Sequence, residues 1–243
     1  MGNVTVVTGG SRGIGAATCR RLAQDGHAVA VGYRTAPEAA QDVVDAIAAG
    51  GGRAIAVRAD TTDEDDVAAL FDTAADRLGP VTGLVNNAGI AAPLTRLAGL
   101  RTADLRQVME VNVVGAFLCA RQAARVMTTG GAIVNVSSTA ATLGSPGNYI
   151  HYAASKAAVD ALTLGLAKEL AADGIRVNGV APGFVDTEIH AQSGDPDRAA
   201  NVVGRIPVGR LGMPGEIAEA IAWLLSPAAS YTTGTTLRVA GGL

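Results

Sequence analysis

The sequence predicts an α/β fold: a single domain, residues 1–243, on a doubly wound parallel sheet with helices on both faces. Three observations predict it. Short β-branched runs alternate with helical patterns along the chain, the arrangement that yields parallel strands joined by crossover helices. The first strand-to-helix junction is rich in glycine, Thr8-Gly9-Gly10-Ser11-Arg12-Gly13-Ile14-Gly15. The length of 243 residues, 49% of them hydrophobic, suits one α/β domain with a sizeable core, because such folds run to about 250 residues without splitting.

Composition narrows the partners. A net charge of -3 with no basic block argues against nucleic acid. No apolar run approaches the roughly 18 residues needed to cross a bilayer, so no membrane partner is expected. Cys19 and Cys119 fall in separate helices without metal-ligand spacing, and small buried apolar roles are expected of them rather than a metal site. Met1-Gly2-Asn3-Val4 leads straight into a strand, so we expect no signal peptide and a cytoplasmic protein.

The elements follow in order. Val4 to Thr8 is the first strand, and the helix after the glycine turn runs through Leu22 to near Gly26. Glycines let the backbone approach a pyrophosphate, and the helix N-terminus favours its charge. The spacing is Gly-x-x-x-Gly-x-Gly, and strand, turn and helix together read as the phosphate corner of a dinucleotide site. The second strand, from His27 to Gly32, ends in Tyr33-Arg34 with no carboxylate. An acidic residue there would take the ribose hydroxyl; arginines at 12 and 34 instead suit a 2′-phosphate, which a guanidinium holds bidentately. NADP is therefore expected over NAD, the alternative being that both arginines are solvated.

Pro37 to Ala49 is a helix and Ala54 to Val57 the third strand, followed by Asp60-Thr61 at a strand's carboxyl end. Asp60 would meet the adenine or cap the next helix, although Thr62 with Asp65 already resembles a capping box. Val67, Leu70, Phe71, Ala74 and Leu78 mark an amphipathic helix. Val81 to Val85 is the fourth strand, with Asn86-Asn87-Ala88-Gly89 after it, small and amide residues able to pack under a cofactor and bond the turn. Leu100 to Met127 reads as one long helix, disturbed at Val111-Asn112-Val113 and Gly115. A buried amide there needs partners, and one left unpaired costs about 1–3 kcal/mol. Ala132 to Val136 is the fifth strand, ending in Ser137-Ser138-Thr139, and a Gly- and Pro-rich loop from Ala140 to Ile150 follows. Ile175 to Ala181, a helix from Pro214 to Leu225 and a strand from Thr235 to Ala240 complete the fold. The polar stretch around residues 186–205 reads as a substrate lid.

The chemistry centres on Tyr152-Ala153-Ala154-Ser155-Lys156, in a helical run. Side chains four apart share a helix face, and a nearby ammonium lowers a phenol's pKa, making it a general acid/base. The plain alternative is a packed ring beside a solvated amine.

With these motifs in sequence, the chain resembles the short-chain dehydrogenase/reductase family over nearly its whole length. The resemblance rests on Thr8-Gly9-x-x-x-Gly13-Ile14-Gly15, Asn86-Asn87-Ala88-Gly89, Asn112, Ser138, Tyr152-x-x-x-Lys156 and Pro182-Gly183. It implies a seven-stranded Rossmann sheet and a catalytic tetrad. In that tetrad Tyr152 is the acid/base and Ser138 bonds the carbonyl oxygen. Lys156 holds the nicotinamide ribose and depresses the phenol pKa, helped by the positive ring of the oxidised cofactor, and Asn112 keeps a water in a relay to Lys156. The cofactor contacts it implies are Gly9, Ser11, Arg12, Gly13, Ile14, Gly15, Arg34, Asp60, Thr61, Asn87, Ala88, Gly89, Tyr152, Lys156, Pro182, Gly183, Val185 and Thr187.

Ser138 precedes Tyr152 by fourteen residues, where family members commonly show thirteen, a spacing that would select Thr139. We take Ser138, just past the fifth strand, and assign the extra residue to the loop around Tyr149-Ile150-His151. His151 and His190 are either substrate contacts or ordinary packing and surface residues. The expected reaction is hydride transfer between NADPH or NADP and a small carbonyl/alcohol substrate, with NAD possible. A 3-oxoacyl thioester or ketone is the first reading and a sugar or polyol the alternative; a non-catalytic NADP sensor is the reading from another class. A homotetramer is expected, with Ala157, Ala158, Ala161 and Gly165 allowing close helix approach.

Overall fold

In the computed structural model, which describes residues 3–187 and 202–243, β-branched and small residues form seven short strands. They are β1 Val4–Val7, β2 Ala28–Tyr33, β3 Arg53–Arg58, β4 Val81–Asn86, β5 Ala132–Val136, β6 Arg176–Pro182 and β7 Thr236–Val239. All pair in parallel in the order β3-β2-β1-β4-β5-β6-β7. The strand order reverses between β1 and β4, and in open α/β sheets that switch point, at the carboxyl ends, is where ligands bind.

Helices cover both faces. They include α1 Gly13–Gln24, α2 Pro37–Ala49, α3 Glu64–Leu78, α4 Thr102–Met109, α5 Gly115–Val126, α6 Ala140–Leu143, α7 Ile150–Glu169 and α8 Pro214–Leu225. One core layer joins Leu70, Phe71, Cys119 and Leu170 to Leu84 and Ile133 of the sheet. The other packs Leu22, Ile47, Ile217 and Leu224 on Val29, Val31 and Val134. Strands buried on both sides carry near-continuous apolar runs for this reason.

Three local expectations change. The long helix is interrupted by one π turn, Glu110–Val114, the device by which an extra residue is accommodated inside a helix. The loop after β5 contains α6, and Ile150 and His151 already belong to α7, so that loop ends at Tyr149. The cap of α3 is Asp63, whose carboxylate accepts from the amides of Asp65 and Asp66. Neither Thr62 with Asp65 nor Asp60 caps it, because an aspartate reaches the amides two and three residues on.

Candidate active site

At the end of β1 the glycines turn the backbone by conformations other residues avoid: Gly9 has φ +61° and Gly13 φ +53°. A Cβ added at Gly15 would lie 2.2 Å from the Gly9 carbonyl oxygen. Asn87, just past β4, locks the turn by donating to the carbonyls of Thr8 and Gly9, each at 3.0 Å. The Thr8 hydroxyl accepts from the amides of Asn87 and Ala88 in return. The cavity beside the turn, about 230 Å³, is lined by Gly9, Ser11, Arg12, Gly13 and Ile14, by Arg34, Asp60 and Thr61, and by Asn87, Ala88 and Gly89. Gly15 lies behind this wall rather than in it. A turn packed too tightly for a Cβ at Gly15, beside a cavity lined by the first residues of α1, fits a pyrophosphate.

Arg34 and Arg12 both face this cavity. Arg34 lies 3.7 Å from the Asp60 carboxylate. Asp60 also accepts from the Thr62 amide and hydroxyl at 3.0 and 2.8 Å. Burial works against its charge, but these hydrogen bonds and Arg34 hold the carboxyl below its ordinary range.

A second cavity, about 520 Å³, adjoins the first through Ile14, Asn87, Gly89 and Thr187. It gathers Ser138 and Thr139 after β5, Tyr152 and Lys156 from α7, Pro182 at the end of β6, and Gly183 and Val185 after it. The Lys156 ammonium donates to the Val136 carbonyl at 2.8 Å and stands 5.8 Å from the centre of the Tyr152 ring. Tyr149 meets Tyr152 edge-on, centroids 5.2 Å apart. Thr139 is tied through its amide to the carbonyl of Pro182 at 2.9 Å, while the Ser138 side chain faces the phenol closely enough to affect its ionisation.

Asn112 lines neither cavity. The π turn buries it, and its amide is fully engaged: it accepts from the Ile90 amide at 2.8 Å and donates to the Ile90 carbonyl and the Ser155 hydroxyl, each at 3.0 Å. Ser155 in turn donates to the Tyr152 carbonyl at 2.7 Å. Asn112 and Lys156 still approach one another, since a Cβ on Gly89 would lie 3.3 Å from both the Asn112 Oδ1 and the Lys156 Nζ.

The ionisation pattern departs from what the Tyr-Lys spacing suggests. Burial drives the phenol of Tyr152 well above its ordinary value, Tyr149 adds to this, and only Ser138 pulls the other way. Burial lowers the Lys156 pKa to about 8, which leaves the ammonium largely protonated at neutral pH, donating to the Val136 carbonyl.

His151 is buried and packed toward Asp104 rather than into the larger cavity. The proposed lid falls mostly on residues 188–201, outside the described residues, and with it His190. Sequence reasoning missed Ile90 and Ser155 as the partners of Asn112, and Leu143, Asn148, Val202 and Leu243 as cavity wall. Ser155 was within reach, being one turn from Tyr152 in the same motif; the others carry no local signal.

A family model described as enoyl-(acyl carrier protein) reductase matches residues 9–243. An uncharacterized oxidoreductase, YgfF, of Escherichia coli (strain K12) is 49% identical, covering 98% of this chain and 99% of that one. Cis-4-hydroxycyclohexanecarboxylate dehydrogenase of Sinomonas cyclohexanicum is also 49% identical, covering 98% and 95%. The crystal structure of a short chain dehydrogenase from Burkholderia cenocepacia J2315 in complex with NADP superposes with a TM-score of 0.93 at 39% identity, covering 100% and 98%.

Proposed function

The chain belongs to the short-chain dehydrogenase/reductase family, and from that premise we propose that it interconverts a carbonyl and a secondary alcohol on a small molecule using NADP(H). Bound NADP(H) would supply or accept the hydride. The phosphate corner, Arg12 and Arg34 would hold it, with Lys156 and the segment from Pro182 to Thr187 beside the reacting end. A β2 terminus without a carboxylate, and the NADP in the Burkholderia neighbour, support NADP over NAD. A tenfold preference for NADH in kcat/KM would reverse that choice.

The observation that carries the reading is one cavity lined by Ser138, Tyr152 and Lys156 and adjoining the glycine turn. A phenol whose pKa is raised by burial is protonated at neutral pH, the form that gives a proton to a carbonyl oxygen. Ser138 donates a hydrogen bond to the same oxygen. The Lys156 cation stabilises the phenolate left behind, and Asn112, through Ser155, holds the first turn of α7 in place.

Much of the cavity wall is apolar: Ala91, Leu143, Phe184, Val202 and Leu243. This favours a ketone, a 3-oxoacyl thioester or a hydroxy acid like the substrate named for the Sinomonas relative over a sugar. A screen of NADPH oxidation against ketones, ketoacyl thioesters and sugars tests the reading. Turnover with ketones is expected; coenzyme binding with no turnover across the panel would favour the sensor alternative.

We also propose a homotetramer. Ala157, Ala161, Leu164 and Gly165 share the outer face of α7, and Phe117 of α5 is half exposed; a monomer by light scattering would refute it. Residence in the cytoplasm is part of the proposal, supported by two unpaired, buried cysteines, a state that a reducing compartment preserves. Among the described residues no helix is long and apolar enough to cross a membrane.

A further inference from the structure

The larger cavity has its own charge pattern. Among the described residues that line it, two are cationic, Lys156 and Arg205, and none is aspartate or glutamate. The Lys156 ammonium is committed to the Val136 carbonyl. Elsewhere on the protein some guanidiniums are engaged by carboxylates, Arg21 with Glu219, Arg101 with Asp104, Arg121 with Glu64 and Arg210 with Glu216 among them. Arg238, also nearby, donates to the carbonyl of Leu243 and the hydroxyl of Thr142. The Arg205 side chain makes no ion pair or hydrogen bond among the described residues, although its backbone is fixed by a bond to the Val202 carbonyl at 2.9 Å.

A guanidinium that meets no carboxylate among the described residues, in a cavity whose walls include Phe184, Val202 and Leu243, is suited to an anion that arrives with the substrate. Its planar fork takes a carboxylate bidentately. Arg205 is exposed, so solvent screens part of that contact, and the described lining residues bring no aspartate or glutamate against an anion. We infer that the substrate is a carboxylate-bearing ketone or hydroxy acid, its anion held by Arg205 while its carbonyl or hydroxyl reaches Tyr152 and Ser138. This rests on the hydride-transfer reading above and adds the charge of the substrate and the residue that selects it.

The test compares 4-oxopentanoate, 5-oxohexanoate and 6-oxoheptanoate with their methyl esters as substrates for NADPH oxidation. At the best-fitting length the acid should exceed its ester in kcat/KM by about tenfold or more, chiefly through KM. Arg205→Gln should bring that ratio close to one, and Arg205→Lys should keep part of it, because a point charge lacks the fork. Equal use of acids and esters by the native protein overturns the proposal, as does a preference that survives Arg205→Gln. A rise in the KM for NADPH, equal with acid and ester, would place the guanidinium on the coenzyme and also overturn it. If no ketone of either kind is reduced, the hydride-transfer reading fails instead. Calorimetric titration of acid and ester into the Tyr152→Phe protein then reads Arg205 without turnover: tighter binding of the acid, lost in Arg205→Gln, upholds the selection of an anion, and equal binding overturns it.

Discussion

The glycine turn after β1 shapes its cavity with main-chain atoms; the ends of β5 and α7 shape theirs with side chains. In the first region Gly9, Gly13 and Gly15 supply positive φ angles and a missing Cβ, and Asn87 bonds the turn from behind. In the second, Ser138 follows β5, Tyr152 and Lys156 share α7, and Asn112 sits in the π turn; burial, Tyr149 and Ser138 set the ionisation of Tyr152, and burial above all that of Lys156. A region made of backbone is intolerant of added atoms but indifferent to pH. A region made of buried titratable side chains tolerates modest changes of shape but not the loss of one proton-carrying group.

That contrast breaks most visibly at Tyr152. Tyr152→Phe should lower kcat/KM by about 10³-fold, within the range of general acid/base catalysis, while the Kd for NADPH by fluorescence titration changes little. Comparable losses in both would mean that the two regions are not separable. Ser138→Ala should cost about 10²-fold in kcat and Thr139→Ala only a few-fold, since Ser138 is the hydroxyl that perturbs the phenol; the reverse order would move the role to Thr139. Gly15→Ala acts on the other region: its Cβ would meet the Gly9 carbonyl oxygen at 2.2 Å. The Kd for NADPH should rise by about tenfold or more and the Tm should fall. Unchanged binding would show that the turn does not grip the coenzyme.

The smallest effect concerns pH. Burial lowers Lys156 from 10.5 to about 8. Between those values the unfolded chain keeps a proton that the folded protein has released, so this group's contribution to stability rises with pH across that window. Lys156→Met should therefore gain in Tm relative to the native protein at pH 7, and the gain should shrink by a few degrees as the pH approaches 10. A constant difference would mean that the ammonium is better solvated than its burial implies.

The phosphate corner was legible because it is written in neighbouring residues. Three glycines and a β-branched strand specify a turn locally, and Pro37 to Ala49 is a helix by the same kind of short-range evidence. The disturbed stretch around Asn112 was readable as a break in a helix, though not as a π turn, because the register of an extra residue depends on what packs against it. The cap of α3 was misread by one residue, since several acceptors in Asp60-Thr61-Thr62-Asp63 compete and only the chain's direction into the helix selects Asp63.

By itself the sequence determined the order of strands and helices, the glycine cradle, and the placement of Tyr152 and Lys156 on one helix face, all matters of chain periodicity and of backbone freedom at single residues. The tertiary structure alone decided that the phenol is driven up rather than down and that the Asn112 amide is consumed by Ile90 and Ser155. It also decided that Arg205 shares a cavity with them. Burial, ionisation and hydrogen-bond satisfaction depend on which distant residues fold against a group, and spacing along the chain does not encode that.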